Sequence, residues 1–357
     1  MDREPLTYAA AGVSLDAADA VVDVIRPHAQ RTTRPEVTGD LGGFSGLFAL
    51  DPSRWRHPLL VTSCDGVGTK LEIARQLRRF GSVGQDLVAM VVDDLVTCGA
   101  EPLVFNDYIA VGALDLAALE QIVSGIADGC VTAGCALVGG ETAEHPSLLA
   151  ATQFDLAGFA VGIVERDAVL GPGRVRDGDD LVAMASTGLH SNGYSLARQA
   201  LADLDLDARH GLRARVSGSE PGGRDLVAES LGDALLRPTR IYARDCLALC
   251  DRTEVHALCH ITGGAIGGNL PRVLPNGLGA VVDTATFTPP WIFGLIAEKG
   301  PVEPAEMWRT FNMGAGMIAV VADGLEAVAL LKARGVDAWV CGSVTTAHTG
   351  VMLTGLK

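Results

Sequence analysis

The feature that most constrains this chain is a repeated switch between short apolar strands and amphipathic helices, broken once by Gly171-Pro172-Gly173. Before the break, 59–64, 103–111, 136–138 and 154–164 read as strands, and 71–79, 85–98 and 115–130 read as helices. Asp115 is placed as an N-cap ahead of the stripe Leu116, Leu119, Ile122, Val123 and Ile126. After the break come strands at 181–185, 255–261, 280–283 and 317–321, with helices at 194–201, 239–249 and 325–333. The polar span 203–233 reads as a surface insertion. At 357 residues the chain exceeds one ordinary core. The expectation is a mixed α/β chain of two domains, 1–170 and 171–357.

A hydrophobic content of 48% with 20% charged residues fits a folded globular chain. The formal net charge of −15 excludes an ordinary nucleic-acid binder, which needs a basic face. No apolar run reaches about 18 residues, so no membrane span is expected. The opening MDREPLTYAAAG lacks an apolar signal core, which points to the cytoplasm. Eight cysteines include no C-x-x-C pair, so they read as buried, reduced thiols and not as a zinc site. An acidic protein that handles phosphate must offset repulsion with metal ions, backbone N–H groups or a few placed cations. There are four lysines, and Lys70 is the only one before Lys299.

Four constellations place glycines and polar groups where strands meet helices, the usual ligand position in α/β proteins. The first is Asp65-Gly66-Val67-Gly68-Thr69-Lys70. Glycines permit close backbone approach, a helix start offers unpaired N–H groups, and lysine suits phosphate oxygens. The second is Asp93-Asp94 on a helix apolar nearly all round, where paired acids call for a cation. The third is Gly139-Gly140-Glu141. Together Asp65, Asp94 and Glu141 would form the oxygen-rich nest that Mg²⁺ prefers. The fourth is His190-Ser191-Asn192-Gly193 at a helix start, suited to a phosphate with one titratable ring beside it, or to a purely structural histidine. Thr262-Gly263-Gly264 fits either a second anion cradle or a plain turn. Walker A, G-x-S-x-G and G-x-G-x-x-G patterns are all absent.

Taken together, the chain resembles the phosphoribosylformylglycinamidine cyclo-ligases, or aminoimidazole ribonucleotide synthetases, from about Thr7 to Val344. The carrying motifs are Arg34-Pro35-Glu36-Val37, Gly42-Gly43-Phe44, DGVGTKL from Asp65, Asp94-Leu95 with Gly99-Ala100-Glu101-Pro102, GGETAE from Gly139, HSNGYSL from His190, Pro238-Thr239-Arg240-Ile241-Tyr242, and RTFNMGAGM from Arg309. DGVGTK and GGETA are common to a wider ATP-binding superfamily; HSNGYSL, PTRIY and RTFN are more specific.

The resemblance implies a two-domain subunit whose amino-terminal sheet builds a barrel across a homodimer axis, with ATP near it. It implies conversion of formylglycinamidine ribonucleotide and ATP into aminoimidazole ribonucleotide, ADP and phosphate. On that reading Asp65, Asp94 and Glu141 hold Mg²⁺. Asp65, Gly66, Val67, Gly68, Thr69, Lys70, Asp94, Gly139, Gly140 and Glu141 form the ATP site. His190 and Lys70 are catalytic, and His190, Ser191, Asn192, Gly263 and Gly264 hold the substrate. Three positions depart from the family pattern. Ala9 stands where a lysine is usual, Asp93 where asparagine is usual, and Ala265 where a third glycine is usual. Rival readings are another superfamily member, such as a selenophosphate synthetase or a thiamine-phosphate kinase, and an inactive ATP-binding scaffold.

Overall fold

The computed structural model describes residues 15–39, 43, 45–216 and 224–356. The Ala9 departure and the motif residues Gly42 and Phe44 lie outside them. The chain forms two compact units: Met1–Val169 with Ile241–Leu247, and Leu170–Arg240 with Ala248–Lys357.

Unit 1 contains α1 (Leu15–Gln30), β1 (Val37–Thr38), β2 (Leu47–Phe48), β3 (Pro58–Gly66), α2 (Lys70–Leu77), α3 (Gly81–Val96), β4 (Glu101–Val111), α4 (Leu116–Ala133), β5 (Ala136–Glu144) and β6 (Phe154–Glu165). Its main sheet has the order β3-β6-β4-β5, antiparallel except for β4 and β5. That parallel pair needs a crossover, which α4 supplies. Asp115 caps α4 by accepting from the Ala118 N–H at 3.2 Å. Helices α3 and α4 approach unusually closely because glycines face backbone: a Cβ on Gly84 would lie 2.1 Å from the Ile122 oxygen, and one on Gly125 1.9 Å from the Gly81 oxygen. By length and composition alone α4 could cross a membrane, but half of it is buried inside unit 1.

The helix-covered side of the sheet carries Phe105, Ile109, Leu156 and Ala160, all buried. Its other side leaves Leu60 at 64%, Phe159 at 43% and Tyr108 at 41% exposure, large apolar side chains open on three adjacent strands.

Unit 2 contains β7 (Asp180–Ala185), α5 (Tyr194–Ala200), β8 (Arg209–Val216), β9 (Arg224–Ser230), α6 (Leu231–Leu235), β10 (Val255–His260), α8 (Ala265–Asn269), β11 (Gly279–Asp283), α9 (Trp291–Lys299), α10 (Pro304–Thr310), β12 (Ala315–Val321), α11 (Gly324–Ala333), β13 (Ala338–Thr345) and β14 (Gly350–Thr354); α7 (Ala243–Cys250) straddles both units. The six-stranded sheet runs β10-β12-β7-β13-β11-β14, and only β11 and β14 are parallel neighbours. Leu181, Ala183, Ile318, Val320, Ala257 and Val282 fill its core.

Two expectations change. The span 203–233 is not all surface: Glu229, Leu231 and Gly232 near its end are buried. The cysteines are not all buried either, since Cys64 is exposed and Cys98 and Cys250 are half-buried; none forms a disulfide.

Candidate active site

The acidic and glycine residues of the first motif are not beyond the strand but part of it. Asp65 and Gly66 end β3, and Asp65 Oδ1 accepts from the Gly66 N–H at 2.7 Å. Val67 is buried, and Gly68 takes φ +71, a left-handed value that favours glycine and lets the chain turn into α2. Thr69 precedes that helix without a side-chain cap bond. Lys70, nominated for phosphate, points inward. It has no exposed surface, and its Nζ lies 2.9 and 2.8 Å from the two carboxylate oxygens of Asp86 on α3, itself fully buried. Its charge thus neutralises an internal acid and ties α2 to α3, while Gly68 and Thr69 are the exposed residues of this turn.

The acids of α3 separate in the same way. Successive helix positions differ by about 100°, so adjacent side chains face different surroundings. Asp93 is buried and its Oδ1 accepts from the Tyr242 N–H at 2.8 Å; Asp94 is exposed. One oxygen of the buried member is therefore met by a backbone donor. An asparagine Oδ1 could accept the same bond, so the Asp93 departure leaves this contact intact.

Glu141 lies within β5, which continues through the glycines to Glu144. The glycines are there for space. A Cβ on Gly140 would sit 1.7 Å from Asp107 Oδ1, and one on Gly139 2.8 Å from Asn106 Nδ2. Asp65, Gly158, Asp107 and Gly140 are successive cross-strand partners in one row. Glu141 pairs with Tyr108 in the next row and so projects from the opposite face. Asp65 and Glu141 also occupy opposite edge strands, three strand spacings or about 14 Å apart. Among the described residues no three His, Cys, Asp or Glu side chains gather as a metal site. A single Mg²⁺ held by Asp65, Asp94 and Glu141 does not fit this chain.

Sequence reading missed Asp107. Its residue keeps a partly exposed edge, but its carboxyl lies among Gly140 and the apolar helix-facing side chains, and burial pushes it up to about 7.

In unit 2, the HSNGYSL turn follows β7. His190 is buried and left-handed, with φ +64, uncommon for a residue with a Cβ. Its Nε2 lies 3.1 Å from the Thr187 N–H. That donor requires an unprotonated Nε2, so the neutral ring carries its hydrogen on Nδ1. Ser191 Oγ lies 3.1 Å from Thr239 Oγ1, which joins this motif to PTRIY. Asn312, the last residue of RTFN, donates from Nδ2 to the carbonyls of Gly188 at 2.9 Å and Leu189 at 3.2 Å. Three motifs far apart in sequence thus meet around one turn.

Asn192 and Gly263 are neighbours as well: a Cβ on Gly263 would lie 3.5 Å from Asn192 Oδ1. Gly264 takes φ +91 before the short helix α8, and Ala265 is held at φ +53. The alanine thus occupies a conformation that the usual glycine adopts without strain. Ser186, Thr187, Arg237, Gly314 and Trp291 also help line a cavity of about 540 Å³.

Models of the AIR synthase related protein family match this chain twice, the N-terminal domain over residues 54–164 and the C-terminal domain over 176–353. A phosphoribosylformylglycinamidine cyclo-ligase of Anaeromyxobacter sp. (strain Fw109-5) is 53% identical over 341 residues, covering 95% of this chain and 96% of that protein. The chain belongs to the phosphoribosylformylglycinamidine cyclo-ligase family. The cyclo-ligase of Myxococcus xanthus is 52% identical over 340 residues, 95% of each protein. Among solved structures, this cyclo-ligase family chain is similar to a thiamine-monophosphate kinase from Stenotrophomonas maltophilia, with TM-score 0.66 and 19% identity over 94% of this chain and 96% of that one. It is also similar to hydrogenase maturation protein HypE in complex with ATP, with TM-score 0.65 and 17% identity over 96% and 92%. At these identities the two structures share its fold. The cyclo-ligase motifs thus sit on a scaffold that other activities also use.

Proposed function

We propose that this chain closes the imidazole ring of aminoimidazole ribonucleotide, a step of de novo purine synthesis. It uses ATP to activate formylglycinamidine ribonucleotide and releases ADP and phosphate. The observation that carries this reading is the end-to-end identity of 53% with a named cyclo-ligase, which spans both units. The mutual contacts of HSNGYSL, PTRIY and RTFN support it, because these are the motifs that separate cyclo-ligases from the wider superfamily.

The chemistry follows from leaving-group strength. An amide oxygen leaves poorly. Transfer of the γ-phosphoryl group to the formyl oxygen makes it part of a phosphate. The amidine nitrogen then attacks the formyl carbon, the C–O bond breaks, phosphate departs and the nitrogen loses its proton. Such a transfer asks mainly for positioning and charge stabilisation. We assign the backbone of Gly66–Thr69 to ATP phosphates, with Asp65, Asp94, Gly139, Gly140 and Glu141 around the nucleotide. Lys70 serves this site from within by fixing the turn. The substrate is assigned to Ser191, Asn192, Gly263 and Gly264, with His190 as the hydrogen-bond donor through Nδ1.

A homodimer belongs to this reading. The open face of the unit 1 sheet, with Leu60, Phe159 and Tyr108, suits burial against a second copy. A barrel made by two copies would also set β3 and β5, the edge strands carrying Asp65 and Glu141, against edges of the partner. A cytoplasmic location is part of the same reading, since eight cysteines without a disulfide suit a reducing compartment.

The test is a coupled assay of ADP release with formylglycinamidine ribonucleotide, following imidazole formation in parallel. One ADP per imidazole is expected. ADP release with thiamine monophosphate and none with the amidine would replace this reading by the kinase alternative.

A further inference from the structure

Asn312 has no role in the reading so far. It is 4% exposed, and every polar position of its amide is engaged. Nδ2 holds the carbonyls of Gly188 and Leu189, while Oδ1 accepts from the Gly314 N–H at 2.9 Å and lies 3.1 Å from Ser186 Oγ, whose single hydrogen is shared with the Gly188 carbonyl at 2.9 Å. The Ser186 N–H in turn donates to the Gly314 carbonyl at 2.8 Å. One side chain therefore laces 186–189, the stretch leading into His190, to the turn at 312–314. That second turn is itself left-handed, at φ +48 for Met313 and φ +99 for Gly314.

The other flank is fixed independently. Arg237 donates to the Thr187 carbonyl and pairs with the buried Glu229, which also accepts from Trp291 Nε1 at 3.1 Å. Thr187 Oγ1 donates to the Pro238 carbonyl at 2.6 Å. Thr187 is thus held at its carbonyl, its hydroxyl and, through Gly188, its chain neighbour. Its N–H is the group that meets His190 Nε2.

We propose that Asn312 is a positioning residue that holds Thr187 and His190 in register and so fixes the proton of the neutral His190 ring on Nδ1. This rests on the reading above only for its link to turnover; the tautomer claim stands on hydrogen-bond geometry alone. Asn312 acts through the turn, and contact with the substrate forms no part of its role. When the Leu189 carbonyl loses its Asn312 donor and the Gly188 carbonyl keeps only the Ser186 hydroxyl at 2.9 Å, Thr187 is held less firmly on that side, and selection of one tautomer weakens.

The test uses the full-length protein and Asn312→Asp, which keeps an acceptor for Gly314 but removes both donors. Nitrogen-15 NMR of labelled histidine, assigned with His190→Gln, reads the tautomer. The wild type is expected to show a single Nδ1–H form and Asn312→Asp a mixture. Turnover is expected to fall about 10²-fold, with the KM for ATP changed by less than about threefold, as for loss of a transition-state interaction. An unchanged tautomer in folded Asn312→Asp, with turnover that merely tracks the folded fraction, would overturn the proposal. If that variant does not fold, Ser186→Ala removes fewer bonds from the same lacing; a partial tautomer shift with about a threefold to tenfold loss supports the proposal, and no shift overturns it. Full activity in a His190→Ala protein would remove His190 from the reaction while leaving the tautomer result to decide the role of Asn312.

Discussion

The two nominated turns are held by different mixtures of charge and neutral hydrogen bonds. The turn before α2 in unit 1 is braced by charge hidden from water, the Lys70–Asp86 pair, with Asp93 buried and Asp107 half-buried elsewhere in the same unit. The turn after β7 in unit 2 is laced by amide and hydroxyl hydrogen bonds around left-handed residues with side chains, His190 and Met313, and a charged brace, Arg237 paired with Glu229, reaches it at the Thr187 carbonyl. A motif lysine can therefore be a strut and a motif asparagine a lacing. Residue type alone does not distinguish such roles from direct ligand contact, because burial decides.

The strongest way to break this contrast is to remove half of the charge brace. Lys70→Ala should destabilise the protein by about 3–5 kcal/mol, because Asp86 is left buried without its cation. The double change Lys70→Met with Asp86→Leu should recover most of that loss. Denaturant unfolding of the three proteins checks this. A Lys70→Ala protein of normal stability with a raised KM for ATP would return Lys70 to the phosphates.

A smaller effect sharpens the unit 1 side. The Asp107 carboxyl is pushed up to about 7 in the fold, whereas a free aspartate titrates near 3.9. A raised value means that the folded state holds the proton more tightly. The stabilisation is fully present below pH 4 and drains away as pH rises towards 7. Asp107→Asn, which cannot ionise, should therefore gain stability over the wild type progressively from pH 4 to 7 and hold a constant gain above it. Melting temperatures across that range decide; a difference independent of pH refutes the assignment.

The smallest expected change lies in unit 2. Ala265 pays strain at φ +53, so Ala265→Gly should raise stability by about 0.5–1 kcal/mol, the left-handed penalty less the extra entropy of glycine. A loss of stability would mean that the Ala265 methyl, fully buried, contributes more by packing than the backbone conformation costs.

Much of this was legible in the sequence, unevenly. Strands and helices with a clean apolar period appear within a few residues of their expected places, from β3 through α4 and again at β7, β10 and β12. The Asp115 cap was legible because capping is local. Strand ends were not: β3 and β5 run on into their glycines, which read locally as breakers, but Gly139 and Gly140 of β5 are spaces for Asn106 and Asp107 across the sheet and Gly66 of β3 faces the Leu156 carbonyl. Partners of buried charges were illegible for the same reason. Asp93 meets a backbone N–H 149 residues away, and no local pattern announces it. Family motifs named the right segments around His190, but the division of labour within RTFN appears only once Asn312 is seen beneath the turn.

The placement of Ile241–Leu247 within unit 1 carries a practical consequence. Tyr242 lends its amide to Asp93 from a stretch that follows the first segment of unit 2, Leu170–Arg240. A fragment truncated at the Gly171-Pro172-Gly173 breaker would lack that donor to the buried Asp93 carboxylate. The amino-terminal half, although continuous to the eye, is completed only after some seventy further residues have left the ribosome, so its final consolidation must wait for them.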